Sequence, residues 1–225
     1  RETNPASNPE LLQFLSKELI ESGFDQKHLI RLITNSITYQ LSSDPGLVLN
    51  VGTDLTFARA KVMRYPAEVI IDAAHKSMSI ESEFSDSFKS KSAITMPGVD
   101  SVHLSKNPHE NDKFLKIFGK PARLTNSDAE RSNETTLAQD IELTAGKTLN
   151  TILSHQENKI GQLLKNGKDA LEIIDELYWS ILTRPPVDEE WSAFLSYLNM
   201  SSNRRSALED VAWSLLNAKE FLLRR

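Results

Sequence analysis

The densest group of side chains able to do chemistry lies in a stretch with no hydrophobic period: Arg123, Asp128, Glu130, Arg131, Ser132, Asn133, Glu134 and Gln139. Two guanidinium groups among carboxylates and amides suit an anion or sugar site, because a planar guanidinium presents paired N–H donors to a carboxylate or to hydroxyls. Arg123, Glu130, Arg131, Asn133 and Glu134 are therefore the candidate ligand-binding residues. The commoner use of such a cluster is mutual pairing that ties an irregular segment to neighbouring helices.

A second group, Asp100, His103, His109, Glu110 and Asp112, supplies imidazole and carboxylate, the material of a divalent-metal site or an acid–base pair. Its spacing does not put two histidines four apart on a helix face, so it reads as solvated loop residues. His28 and His75 stand beside apolar helical stripes and read as packing or surface residues, and His155 falls in a polar linker. There is no G-x-S-x-G elbow, and the eight glycines are scattered rather than gathered into a phosphate cradle. Glu81 with Glu83, and Asp188 to Glu190, are too close in sequence for a glycosidase pair and read as solvated helix starts. Trp179, Trp191 and Trp213 fall on or beside helical stripes, where anchoring a core is commoner than stacking on a sugar. No catalytic residue and no metal site is assigned, and no enzymatic activity is expected.

What must position these residues is helical. The 225 residues are 39% apolar, enough for a real core in one domain or two small ones. A net charge of −5 leaves no cationic excess for a phosphate backbone, so nucleic acid is not an expected partner. No apolar run approaches the ~20 residues of a membrane-spanning helix. The polar start, Arg1 to Pro9, has no apolar segment like that of a signal peptide and reads as the beginning of an excised piece. The absence of cysteine removes disulfides, thiolate chemistry, covalent haem attachment and Cys-ligated zinc.

Along the chain, Asn8 and Pro9 signal a helix start. Leu11, Leu12, Phe14, Leu15, Leu19 and Ile20 then predict a buried stripe that ends at Gly23. Asp25 caps a second helix with Leu29, Ile30, Leu32 and Ile33, so residues 9–36 read as a helical hairpin. Residues 42–64 read as an irregular crossing segment, and Pro66 opens a helix through Val69, Ile70, Ala73 and Ala74. The Ser-rich residues 77–108 read as irregular, with one short extended piece at 101–104. An amphipathic piece at 112–118 precedes a polar segment, and short helices resume near Thr135, Lys147 and Asn158. Ala170, Ile173, Ile174, Leu177, Tyr178, Ile181 and Leu182 keep helical rhythm until Pro185 and Pro186 forbid it. Trp191, Phe194, Leu195 and Leu198 supply the buried face of the next helix. A last helix from Arg204, with Leu208, Val211, Ala212, Leu215, Leu216 and Phe221 inward, ends on Arg224 and Arg225 at the favourable pole.

The expected fold class is all-α: a multi-helix bundle of short antiparallel helices with a long irregular segment and at most a minor β element. The expected organisation is one helical domain over 1–225, either undivided or in two lobes, 1–76 and 109–225, joined by 77–108. One apolar stripe per helix points to a self-contained monomer.

Six blocks carry a family resemblance. They are Asn8 to Ser43, RYPAEVIIDA from Arg64, FLKIFGKPAR from Phe114, ERSNETTLAQ from Glu130, ELYWSILTRPP from Glu176, and the closing NAKEFLLRR. In this order they resemble domain of unknown function 1553, over essentially the whole chain. The resemblance implies a C-terminal domain of large exported planctomycete-type proteins, hence an extracytoplasmic place at the periplasm or cell surface. It also implies other domains of the same parent protein as partners, often a c-type cytochrome, so any haem would sit outside this chain. No activity comes with that family. Where many members carry two cysteines one residue apart, this chain has Ser127 and Ala129, so a metal or redox role resting on that pair is not expected here.

Two functions follow as expectations. One is a noncatalytic helical scaffold or interaction domain. The other is an accessory domain of a polysaccharide-acting enzyme, binding an acidic saccharide through Arg123, Glu130 and Arg131.

Overall fold

The computed structural model describes residues 5–43, 59–85, 91–96, 108–120 and 135–224. The chain divides into two compact units, residues 1–62 with Arg225, and Met63–Arg224.

In the first unit, helix α1 (Pro9–Glu21) packs on helix α2 (Gln26–Thr34). Asn8 Oδ1 accepts the Leu11 N–H at 3.0 Å, and Asp25 Oδ1 accepts the N–H groups of Lys27 and His28 at 2.8 and 3.2 Å. Both caps satisfy donors that a helix start leaves without a partner. The joint turns through Gly23 at φ 68° and Phe24 at φ 64°. The expected buried stripe is overturned, because neither helix buries a single residue. Leu15, Leu19, Leu29 and Leu32 are half-buried, while Leu11, Leu12, Phe14, Ile20, Ile30 and Ile33 are exposed. The physical reason is that, at ~100° per residue, the apolar residues of α1 spread over about 240° of the helix, and a two-helix hairpin can cover only one side of each member.

The second unit is helical with one small ribbon. Its elements are β1 (Met63–Arg64), α3 (Ala67–Ser77), α4 (Glu110–Ile117), α5 (Leu137–Ala145), α6 (Lys147–Ser154) and α7 (Lys159–Lys165). They continue with α8 (Ala170–Ile181), α9 (Asp188–Met200), α10 (Arg204–Leu216), α11 (Lys219–Leu222) and β2 (Leu223–Arg224). The expected all-α class with a minor β element holds. The strands pair antiparallel, Met63 with Arg224 and Arg64 with Leu223, so the chain's last described residues form a strand and not the end of a helix. The last predicted helix is also two, α10 and α11, because the chain leaves helical geometry at Ala218, φ −65° and ψ 142°.

α8 and α10 form the centre. Ile173, Ile174, Leu177 and Tyr178 from α8 are buried with Leu208, Val211, Ala212 and Leu216 from α10. α3 adds Ile70, Ile71 and Ala74, and α4 adds Phe114 and Leu115, with Phe118 stacked on Phe114 at 4.2 Å between ring centroids. Fully burying one aliphatic side chain contributes about 1.5–3 kcal/mol, so this cluster carries most of the unit's stability. Asn158 joins α6 to α7: its amide donates to the Ile152 and Leu153 carbonyls at 3.2 and 2.6 Å, and its Oδ1 accepts the Gly161 N–H at 2.9 Å. In α9, Trp191, Phe194 and Leu198 lean on the core only in part, and Leu195, expected inside, is exposed. Trp179, expected as a core anchor, also faces outward. Among the described residues no helix is long and apolar enough to cross a membrane.

Candidate functional site

Arg123, Glu130, Arg131, Asn133 and Glu134 lie outside the described residues, as do Asp128, Ser132, Asp100 and His103. Of the polar run, Gln139 is described, and it is buried on the first turn of α5. Its Nε2 donates to the Ile117 carbonyl at 3.0 Å, and its Oε1 accepts from the Thr136 N–H at 3.2 Å and from Arg64 Nη1. Arg64 also covers the Phe118 ring, with its guanidinium carbon 5.3 Å from the centroid. Gln139 thus ties α4, α5 and β1 together.

His109 and Asp112 are not solvated loop residues. His109 is the N-cap of α4, its Nδ1 accepting the Asn111 N–H at 3.3 Å. Asp112 is 1% exposed, and its Oδ2 accepts the His109 and Ser85 N–H groups at 3.0 and 2.9 Å. Among the described residues its Oδ1 has no hydrogen-bond partner. Asn111 donates Nδ2 to the Glu83 carbonyl at 2.9 Å, which leaves Oδ1 facing His75 Nε2 at 3.3 Å. An acceptor there requires the neutral ring to carry its proton on Nε2, so Nδ1 is a bare acceptor. Burial pushes His75 below the ordinary imidazole value, against the Asn111 bond, the nearby Ile80 carbonyl and the Asp72 carboxylate. The Ile80 carbonyl lies outside hydrogen-bond geometry to Nδ1.

His75 lines a cleft of about 300 Å³ together with Asp72, Lys76, Glu81, Lys91 and Ser92. Ser92 Oγ donates to Asp72 Oδ2 at 2.6 Å, and the same carboxylate accepts the Ala93 and Ile94 N–H groups at 2.7 and 3.0 Å. Serine, aspartate and histidine are all present, but in the wrong order for nucleophilic catalysis. The imidazole has to stand between the hydroxyl and the carboxylate to take the proton, whereas here the hydroxyl donates straight to a carboxylate that caps the turn after it. Lys91 is held by both oxygens of Glu81, at 3.0 and 3.2 Å. Among the described residues no group of His, Asp and Glu is gathered as a metal site.

Among the described residues, the most highly charged constellation is one that the sequence reading does not single out. Thr183 turns the chain at φ 59° after α8, its N–H returning to the Tyr178 carbonyl at 3.0 Å, and presents Arg184 across the bundle. Nε and Nη2 of Arg184 donate to Glu220 at 2.8 and 2.9 Å, Nη1 and Nη2 to Glu190 at 2.8 and 2.9 Å, and Nη1 to the Pro185 carbonyl at 3.0 Å. That uses all five guanidinium N–H groups. The guanidinium also lies over the Tyr178 ring, 5.3 Å from its centroid. Arg184 holds Glu190 down at about 2, Glu190 and Glu220 push Arg184 up, and burial with the Glu190 charge pushes the Tyr178 hydroxyl up. Glu190 further accepts the Val187 N–H at 2.9 Å, so the group fastens α8, α9 and α11 at one point. An arginine after a helix and before two prolines, with an acid in the next first turn, is the signal that could have found it.

The fold and these clusters define an all-α protein in which Asp112, Gln139 and Arg184 serve as caps and interhelical fastenings. The chain matches the family described as PSD1, a protein of unknown function (DUF1553), over residues 1–198, and it belongs to that family. No curated protein and no solved structure matches it.

Proposed function

We propose that this chain is a noncatalytic helical interaction domain, and that its working surface is the apolar side of the α1–α2 hairpin. The observation that carries the reading is the burial pattern of that hairpin: two well-capped helices that leave most of their large apolar side chains in water. Apolar surface of this size on a folded unit marks a place for a partner. In support, Arg184, Asp72 and Gln139 are committed to internal contacts and have no geometry for proton transfer to a substrate. An extracytoplasmic setting, with other domains of a parent protein as partners, fits this role as part of the same proposal. The acidic-saccharide reading rests on Arg123, Glu130, Arg131, Asn133 and Glu134 and gains no support from the described residues.

The test pairs a surface probe with an activity screen. The chain should enhance the fluorescence of an apolar-surface dye, and Leu12→Glu should abolish the enhancement without changing helicity. No polysaccharide or ester should be turned over. Turnover lost on a single polar substitution, with helicity intact, would refute the reading.

A further inference from the structure

The end of α3 is closed by a turn that carries the chain back past a titratable ring. Ser79 and Ile80 return their N–H groups to the Lys76 and His75 carbonyls at 3.1 and 3.0 Å, the paired bonds that stop a helix on a left-handed residue. That residue is Ser79, at φ 58°, where glycine is the usual occupant and a serine is held at a cost. From this hinge residues 80–83 pass His75, with the Ile80 carbonyl near its ring and the Glu83 carbonyl on the amide of Asn111, and His75 is 6% exposed. The far end is fast: Phe84 is buried in the core, and Ser85 gives its N–H to Asp112 Oδ2 at 2.9 Å.

The site suits a neutral ring and not a charged one. With Nε2 spent on Asn111 Oδ1, a proton taken up at Nδ1 would make a buried cationic donor, and the Ile80 carbonyl beside it is outside hydrogen-bond geometry. Loosening residues 80–83 would open that donor to solvent through the adjoining cleft, which His75, Ile80, Glu81 and Ser82 all line. We propose that residues 80–83 are a proton-sensitive strap, closed on α3 while His75 is neutral and released about Ser79 when the ring takes a proton. The device lies in the second unit and does not depend on the α1–α2 hairpin. The charges around the ring do not reverse it. On α3, Lys76 is next along the chain, and Asp72 favours the imidazolium but is outweighed by burial and already held by Ser92, Ala93 and Ile94. From α4, His109 disfavours the imidazolium, and Asp112 is turned to the Ser85 and His109 amides. Glu81 pairs with Lys91, Glu83 lies 3.9 Å from His109, and Lys159 of α7 pairs with Glu176. α6 and α8 meet α3 through the apolar core. With the strap open the ring is hydrated and titrates at the ordinary ~6.5, whereas burial lowers it when the strap is closed. Closure is therefore strongest above ~6.5 and weakens as pH falls, by up to about tenfold per unit, until the lowered value is passed.

Amide exchange of the full chain from about pH 8 to about pH 5, expressed as protection so that the intrinsic pH dependence is removed, tests this. Protection of the Ser79 and Ile80 amides should fall by up to about tenfold per pH unit below ~6.5, while Ser85 and the α8 amides keep theirs. The midpoint should be that of the His75 ring itself, followed by its imidazole proton shifts. His75→Gln, whose amide can still donate to Asn111, should abolish the pH dependence. His109 is the other histidine beside the strap and stands exposed; His109→Asn keeps a capping side chain, and the dependence should survive it. Constant protection at Ser79 and Ile80, an equal loss at Ser85 and in α8, or a dependence that survives His75→Gln or disappears in His109→Asn overturns the proposal. If His75→Gln does not fold, a strap midpoint away from the ring's own titration overturns it in the same way.

Discussion

Arg184 offers the sharpest test of whether charge in this fold fastens helices. Replacing it with Ala removes five donated hydrogen bonds and leaves Glu190 and Glu220 facing each other without a cation. The depression of Glu190 from 4.5 to about 2 corresponds to about 3 kcal/mol in the absence of solvent. The Glu190 side chain is 30% exposed, and screening by water reduces that figure to about 1.5–2 kcal/mol. At about 2–4 °C per kcal/mol for a protein of this size, Tm should fall by about 3–8 °C. Arg184→Lys should recover less than half, because an ammonium cannot fork to two carboxylates. The pH profile should move with it. A carboxylate whose folded pKa is depressed contributes stability above its unfolded value, and that contribution is lost as pH falls towards about 2. Wild type should therefore lose about 1.5–2 kcal/mol more than Arg184→Ala between pH 5 and pH 2. Thermal melts across this range, closed by a double-mutant cycle with Glu190→Gln, decide it. A Tm within about 1 °C of wild type and a coupling energy near zero would refute the reasoning.

Four further outcomes follow from the same structure. The His75 imidazole should titrate below ~6.5 by NMR, and the stability it contributes, complete above that value, should be lost as pH falls through the lowered one; titration at or above ~6.5 contradicts the buried neutral ring. Asp112→Ala should cost about 2–3 kcal/mol in denaturant unfolding and speed amide exchange at Ser85 and His109, and unchanged exchange would remove its capping role. Thr183→Gly should stabilise by up to ~1 kcal/mol, because a β-branched residue at φ 59° is strained; a lower melting temperature would count against that strain. Gly161→Ala should destabilise by about 1–3 kcal/mol, as a Cβ there would meet the Gln156 carbonyl oxygen at 2.0 Å, and a neutral change would mean that the start of α7 shifts freely.

The sequence was most legible where one residue decides a local geometry. Asn8, Asp25, Thr136, Asn158 and Asp169 each accept from the backbone of the helix that follows, and the apolar spacing of α8 and α10 points to the core they build. It was least legible where the deciding contact spans many positions. Arg184 meets Glu220 across 36 residues, as His75 meets Asn111, so neither pair forms a spacing motif. The exposed side of the hairpin was readable and misjudged: Leu12 and Phe14 fall on nearly opposite sides of α1, which one buried stripe cannot accommodate. The candidate residues Arg123, Glu130, Arg131, Asn133 and Glu134 lie outside what the structure describes.

Hydrogen–deuterium exchange with and without the apolar-surface dye tests most directly the claim that the hairpin is the working surface. Amides of α1 and α2 should gain protection when the dye is added, while those of α8 and α10 stay as they are. Protection that does not change in α1 and α2, or that changes equally throughout the chain, would contradict it.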